Sequence, residues 1–465
     1  MTAAVETAQR RRPAEIATRV LSGMGLVGAL ICGIATDTPT IWGLLPIVLF
    51  GALVVLGMGM LPAAVVSTVA ALLVLLPSPA ELGGLAVDSI TNQVTLIGVI
   101  IVLGAAVGEV MRRTRVADVI VRGCVGLVDG RGPVVSSFAI MMACLVLVAA
   151  LGTLGGALAV AAPLVIPVAA RLGYTRSATA AMMFVGGCAG LALAPFAGSN
   201  VAIMTAADAG YLQYLIYGAL PLVAVSLLVG VPVVQCMQRR TADFYDDSDI
   251  PEAAVSPGRR ATTATAVFAV ILLAAVAWAI VAGAGIVVPL VVLPLLGVVT
   301  GLVGGLGPAG TIRALGVGAR SMLGMLALFV LLAALFVAIE ELGPFDVVLD
   351  RYGDQMAGLS PFALAIAVAL LGWVGVPGAT AAQVVLLDQL FGEIAATAGI
   401  GLASWIVVLL FASKADTYGP FPNANMIGAM GLARCLNLRA ILLTGWAILV
   451  PACVVYTVLI YVETH

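Results

Sequence analysis

The chain has 465 residues, 62% of them hydrophobic and only 9% charged, where an ordinary soluble domain is roughly 45–50% apolar and about 25% charged. That excludes a soluble enzyme: apolar runs of about 20 residues, each able to cross roughly 30 Å of hydrocarbon as a helix, predict an all-α polytopic membrane protein with no enzymatic activity. The 21 basic and 23 acidic residues give a net charge of −2, so no basic surface for nucleic acid is expected and the bilayer is the principal partner.

In chain order, the first apolar run, Val20 to Ile34, follows Arg10, Arg11, Arg12 and Arg19. It resembles the start of a secretory signal, but further spans follow without an obvious small-residue cleavage site. It therefore reads as an extra first helix within an N-terminal segment, 1–40. Spans follow at 41–58, 61–77 and 93–111, then an amphipathic interfacial stretch at 115–128. The apolar stretch 134–171 is long enough for two helices, yet the glycine-rich GTLGG at 152–156 interrupts it halfway. That pattern predicts a re-entrant helical hairpin, which enters and leaves on one side. Spans 177–210 and 211–237 complete the first half. The linker 238–263 holds DFYDDSDIPE and is a solvated connection rather than a domain. The second half reads as spans 264–283, 286–304 and 320–339, an interfacial stretch at 342–357, a second hairpin at 360–396 with the tip GVPGAT at 375–380, and spans 400–430 and 439–461. The total is eleven spans and two hairpins.

Positive residues stay in the cytoplasm near short loops, so the arginines test this threading. With the N-terminus inside and both hairpins re-entrant, every one of the 21 basic residues except Arg351 and Lys414 falls on the cytoplasmic side. Were either hairpin a single crossing, all later loops would switch sides and the arginines would divide. The expected setting is thus the plasma membrane, with the N-terminus inside and the C-terminus outside. The seven cysteines are scattered without a C-x-x-C, which suits small core residues rather than a metal or disulfide framework. The only histidine is the terminal His465.

Self-comparison reveals a repeat. APFAGSN at 194–200 and GPFPNAN at 419–425 share P-F-x-x-x-N, with Pro195, Phe196 and Asn200 matching Pro420, Phe421 and Asn425 at one offset, 225 (420 − 195). Each copy interrupts a long span that follows a hairpin, and the hairpin tips match at nearly the same offset, 223 (375 − 152). The two halves, 41–237 and 264–461, hold five spans and a hairpin each. Five is odd, so the second copy is inverted.

With these features the chain resembles the ion-transporter superfamily, which includes the divalent anion/sodium symporters, the arsenite and citrate–metal permeases and the NhaC-type antiporters. The resemblance covers the chain from about residue 41 and is architectural. The divalent-anion symporters carry Ser-Asn-Thr at their hairpin tips, whereas this chain carries Gly-Thr-Leu-Gly-Gly and Gly-Val-Pro-Gly-Ala-Thr. The first tip, with Pro163 and Pro167 after it, is similar to the Gly-Thr-x-x-Gly hairpin of NhaC-like antiporters, while the acidic residues near their broken helix are missing from 194–200. The resemblance implies a homodimer working by an elevator motion. On that plan a transport domain, 134–210 and 360–432, moves against a scaffold formed by the remaining helices.

Backbone that leaves helical geometry at membrane depth must be buried in protein or line a wet cavity. Inverted repeats place substrate and coupling ions at such breaks. The candidate contacts are Gly152, Thr153, Gly155 and Gly156 at the first tip, and Gly198, Ser199 and Asn200 at the first broken span. They continue with Gly375, Gly378 and Thr380 at the second tip, and Asn423 and Asn425 at the second broken span. Each glycine taken singly also reads as a helix-packing residue. The chain has five asparagines, of which Asn200, Asn423 and Asn425 lie at the breaks, where an amide can bind a carboxylate or Na+ or simply cap a half-helix.

Lys414, the only lysine, and Asp416 are the sharpest feature. A charge at the centre of a membrane helix costs about 2.5–3.5 kcal/mol on the lenient insertion scale, so it faces a cavity or a partner. The pair reads either as a structural brace, or as a substrate contact or stand-in cation (Lys414) beside a proton or sodium carrier (Asp416). Glu109, beside Arg112 and Arg113, reads as an interfacial ion pair. Asn200 and Asn425 are further candidates for cation coupling.

The function expected from these residues is secondary active transport of a small organic anion, a carboxylate in the first instance, coupled to Na+ or H+. The alternative is a Na+/H+ or substrate/H+ antiporter of the NhaC type. No cofactor or metal beyond Na+ is implied. An ATP-driven pump is excluded by the lack of a G-x-x-x-x-G-K-[ST] loop.

Overall fold

The computed structural model describes residues 2–56, 58–125, 132–246, 258–282, 287–344, 347, 351, 360–374 and 380–465. They form helices joined by short turns. The first half comprises α1 (Thr2–Ala35), α2 (Leu45–Val55), α3 (Met60–Leu75), α4 (Pro79–Thr91), α5 (Gln93–Arg113), α6 (Val116–Val125), α7 (Pro133–Leu151), α8 (Leu154–Arg171), α9 (Arg176–Leu193) and α10 (Gly198–Ala206). It ends on α11 (Tyr211–Arg240), which contains a π turn at Leu215–Ala219. The second half comprises α12 (Arg259–Ala282), α13 (Val287–Val303), α14 (Gly307–Ser321), α15 (Leu323–Leu342), α16 (Pro361–Val374), α17 (Thr380–Thr397), α18 (Leu402–Ala412), α19 (Ala424–Leu432) and α20 (Leu438–Thr464). Helices occupy the positions of all eleven expected spans and of the arms of both expected hairpins, and nine helices among the described residues are long and apolar enough to cross a membrane; most of the second tip, 375–379, lies outside the described residues. Most of the interfacial stretch expected at 342–357 lies outside the described residues.

Helix starts follow from local chemistry. The side chains of Asn92, Thr175 and Asn437 accept hydrogen bonds from the backbone N–H groups of Val94, Ala178 and Ala440, satisfying donors that open α5, α9 and α20. Ser78 and Glu81 form a capping box at α4, and the Ser78 N–H holds the Glu81 carboxyl below its usual range. The amphipathic helices α4 and α14 were not anticipated among the spans. They occupy equivalent places, each between the second and third spans of its half. Four glycines in α14 weaken its intrinsic helicity, but Thr311, Ala314 and Gly318, at helical spacing, bury one face of it, and α14 packs along α5.

The helices pack as two bodies. In one, α13, α14 and α15 pack on α5, while α3 and α4 pack on α15, α1 on α3 and α12 on α13. In the other, α9 packs on α7 and α11, α18 on α16, and α20 on α11 and α18. Glycines allow the closest crossings: a Cβ at Gly186 or Gly190 would run into the carbonyl oxygens of Met141 and Leu145, so α9 lies backbone to backbone against α7. The bodies meet through α6, which packs on α7 and α8, and through α10, which crosses α5.

The inverted repeat has a physical signature. Each post-break segment packs on the second arm of the other half's hairpin, α10 on α17 and α19 on α8.

Candidate functional site

The first hairpin turns on Gly152, whose φ of +68° is a left-handed conformation suited to glycine. The following Thr153 is extended and precedes α8 without a side-chain cap bond. A Cβ on Gly152 would lie 3.4 Å from the Ala197 nitrogen, so the tip rests on the first helix break. Gly155 and Gly156 are exposed. A Cβ on Gly155 would meet nothing within 4 Å, and one on Gly156 only Thr153 Oγ1 at 3.2 Å. This stretch therefore borders open space.

At the first break Pro195 and Phe196 separate α9 from α10, and Ala194 before the proline is extended, as proline demands. The carbonyls of Leu191, Ala192, Leu193 and Ala194 released there all find donors. Asn200, 3% exposed, shares its side-chain NH2 among the oxygens of Leu191 (2.8 Å), Ala192 (3.2 Å) and Ala194 (2.8 Å). Tyr211 donates its hydroxyl to Leu193 O at 2.6 Å, and Tyr214 to Ala192 O at 2.8 Å. Asn200 thus braces the break with its donors. Its oxygen accepts from Ser199 Oγ at 3.3 Å.

At the second break α18 gives way to a helical turn, Lys414–Thr417, followed by Tyr418 and Gly419. Asn423 accepts from Met426 N at 2.9 Å, capping α19, and donates to Thr417 O at 3.3 Å. Asn425 lies half-buried in the first turn of α19. Tyr418 is fully buried, edge-on to Phe184, with its hydroxyl 2.8 Å from Ser226 Oγ. Lys414 is 3% exposed and lies near the thiols of Cys188 and Cys453. Among the described side chains no carboxylate pairs with it. The side chain of Asp416 lies outside the described residues.

Gly375 and Gly378 of the second tip also lie outside the described residues, and Thr380 opens α17. The arms beside the tip clasp the end of α18. Trp373 Nε1 donates to Phe411 O at 3.0 Å, and Gln383 Nε2 donates to Gly372 O. Thus the first tip meets the first break directly, and the second hairpin holds the helix end that leads into the second. Glu109 accepts from Arg112 and Arg113, the ion pair expected of it.

Two cavities flank α10 at its junction with α5. One, about 390 Å³, lies between Phe196, Asp208 and Tyr211 on one side and Val276 and Pro289 on the other. The second, about 450 Å³, runs from Asp88 and Asn92 to Thr205 and Asp388. Gln93 and Thr205 line both. Their charged lining consists of Asp88, Asp208 and Asp388, with no basic residue among the described residues. Asp388 Oδ1 accepts from Trp405 Nε1 at 2.9 Å, tying α17 to α18. Neither this bond nor the two tyrosines at the first break was anticipated. The signal was Tyr211 and Tyr214 spaced one helical turn apart just beyond a broken span.

The solved structure of the Alcanivorax borkumensis YdaH transporter, described as having an unusual topology, is similar in fold. It aligns over 83% of this chain and 90% of its own, with a TM-score of 0.60 and 17% identity. No curated protein matches the sequence. The profile of the Na+/H+ antiporter family matches residues 2–236, the first of the two inverted halves and its preceding helix. This is a multi-pass membrane transporter of the ion-transporter superfamily, and the chain belongs to the Na+/H+ antiporter family.

Proposed function

We propose that the chain exchanges a small cation, Na+ in the first instance, for protons. The observation that carries this reading is the lining of the two cavities beside α10, where Asp208 faces one and Asp88 and Asp388 face the other, with no basic residue among the described residues. Such a lining attracts cations and repels carboxylates. Asp388, set on a hairpin arm rather than a mobile loop, is the group assigned to bind Na+ and H+ in turn, with Asp416 as a second carrier. The arginine distribution supports an orientation in the plasma membrane with the N-terminus inside and the C-terminus outside, so that these cavities open outward.

The packing also supports an elevator motion, with one adjustment to the division suggested by sequence. The spans 211–237 and 439–461 were assigned to the scaffold, yet α11 and α20 pack on α9, α18 and one another. We therefore place them with the moving hairpins and broken helices. The frame is then α1–α5 and α12–α15, with α6 as the connecting arm, and a homodimer would anchor it. Proteoliposomes test the function: an outward-directed Na+ gradient should acidify the lumen without any organic substrate, and Asp388→Asn should reduce that flux to background.

One observation favours a second reading, the transport of an organic anion with Na+ or H+. Lys414 is buried without a paired carboxylate among the described side chains, and a bound carboxylate would supply one. The tips and breaks, through Gly152, Thr153, Gly155, Gly156, Ser199, Thr380 and Asn425, would then cradle the substrate. Substrate-free exchange between Na+ and H+ separates the two readings.

A further inference from the structure

Gln93 and Thr205 are the two described residues that line both cavities beside α10, so the cavities adjoin between them. Gln93 opens α5, and Thr205 lies in the last turn of α10, at the crossing where the two packing bodies meet. Taking the chain as a Na+/H+ exchanger, we propose that Gln93 and Thr205 form a neck that passes Na+ between the cavities, from Asp208 to Asp388, and that their side-chain oxygens set the affinity for the cation.

The local fold holds both sides of this neck in place. On the α5 side, Asn92 accepts from Val94 N at 2.9 Å and fixes the start of the helix. Thr95 Oγ1 donates to Ser89 O at 2.7 Å, which locks the corner between α4 and α5 and with it Asp88 and Asn92 on the wall of the second cavity. On the other side α10 closes in a tight turn. Asp208 there is left-handed, with φ +48°, a region in which aspartate is enriched, and Ala209 N donates to Met204 O at 2.8 Å. The turn sets Asp208 in the first cavity, one helical turn beyond Thr205.

The order of groups suits a small monovalent cation. Asp208 in the first cavity is exposed, whereas Asp388 in the second is half-buried and held by Trp405. Between these two charges stand an amide oxygen and a hydroxyl oxygen, neutral acceptors able to replace part of a hydration shell. Neutrality matters at the narrowest point, because a passing ion must bind well enough to enter and weakly enough to leave. A carboxylate there would hold the cation, and an apolar pair would strip its water without replacing it. Thr91 makes the contrast: it lines only the second cavity, and its hydroxyl is donated to the backbone oxygen of Val87 at 3.1 Å.

The Na+ dependence of exchange by the full-length chain in proteoliposomes tests the neck, with rates normalised to folded protein. Thr205→Val keeps the branched shape and removes the oxygen. Gln93→Leu does the same at an exposed position, where the fold stays intact. Each is expected to raise the KM for Na+ about threefold to tenfold, the scale of one lost neutral polar contact, with the maximal rate little changed, as when binding is lost equally from ground and transition states. Gln93→Glu adds a charge to the neck and is expected to lower KM and slow the maximal rate. Thr91→Val is expected to keep the wild-type KM. A wild-type KM in both Thr205→Val and Gln93→Leu, in a protein that does exchange Na+ for H+, overturns the neck and leaves the exchange reading standing. An equal rise in Thr91→Val does the same. A wild type without Na+/H+ exchange overturns that reading and the neck with it.

Discussion

Asp388 and Trp405 are joined by a 2.9 Å hydrogen bond from the indole N–H to the carboxylate, and this bond ties the second hairpin to the helix that precedes the second break. Because Asn presents an acceptor oxygen in the same place, Asp388→Asn keeps the bond and removes only the charge. Exchange of Na+ for H+ in proteoliposomes should therefore fall to background while the melting temperature stays within about 1–2 °C of wild type, because the half-buried side chain keeps its shape and its hydrogen bond. Trp405→Phe removes the donor and keeps the charge, so it should weaken the hairpin contact and leave exchange measurable. Undiminished flux in Asp388→Asn would remove this carboxylate from the coupling site.

Asn200 distinguishes a brace from a ligand. Its donors reach three carbonyl oxygens, and leaving a buried acceptor unpaired costs about 1–3 kcal/mol. Asn200→Ala should lower the melting temperature. Asn200→Asp should lower it further, because a carboxylate would face carbonyl oxygens with no hydrogen to offer. If Asn200 instead serves mainly as a cation ligand, Asn200→Asp will hold its melting temperature and bind Na+ more tightly. Measuring both quantities on the two variants decides between them.

The architecture was legible because lipid imposes simple rules. Spans need about 20 apolar residues, arginines mark one side, and helix breaks at membrane depth are too costly to occur without purpose. The repeated P-F-x-x-x-N therefore located both broken helices within a few residues. The amphipathic helices α4 and α14 were missed since neither is a span, and the glycines of α14 obscure a pattern that exists only against α5. The site was less legible. Asn200 was recognised as a cap or a ligand, but its choice of three carbonyls depends on where the chain resumes after Pro195. Asp388 was set aside because one acid on a hairpin arm carries no motif; only the packing of α10 against α17 brings it to the same cavity as Asp88, beside the cavity that Asp208 lines.

The two classes of glycine should respond in opposite ways. Gly190 sits against the α7 backbone, with Leu145 Cα 2.8 Å from where its Cβ would lie, so Gly190→Val forces the helices apart. Its yield of folded protein and its melting temperature should drop, overpacking of this kind costing about 1–3 kcal/mol. Gly155→Ala meets open space and should melt as wild type does, while any loss of transport it causes reports on the tip as part of the site. Equal stability of the two variants would contradict the close α7–α9 crossing.

The proposed boundary between a moving and a fixed body can be pinned chemically. Gly198, the first residue of α10, lies against Ile101 of α5, a residue of the frame; a Cβ there would fall 2.6 Å from the isoleucine Cδ1. In a background with the seven native cysteines replaced, Ile101→Cys with Gly198→Cys should form a disulfide under mild oxidation and stop transport, and reduction should restore it. Full transport in the oxidised, cross-linked protein would show that α10 and α5 stay together through the cycle, contrary to an elevator divided along this contact.

Lys414 offers the most discriminating variant because it is the only lysine and is 3% exposed. Burying an unpaired charge is costly, so an apolar residue of similar volume in its place relieves that cost, whereas removing one partner of a buried ion pair costs about 3–5 kcal/mol. With no paired carboxylate among the described side chains, Lys414→Met is expected to melt at or above the wild-type temperature. If the ammonium occupies the place of a second cation, Na+/H+ exchange continues in this variant, but the charge moved per cycle changes. A solid-supported membrane current, compared with the Na+ flux on the same liposomes, measures that ratio. A variant that melts well below wild type and is rescued by adding Asp416→Asn would instead identify the lysine as a brace for that aspartate. An unchanged current-to-flux ratio in a stable, active Lys414→Met would remove Lys414 from the coupling step altogether.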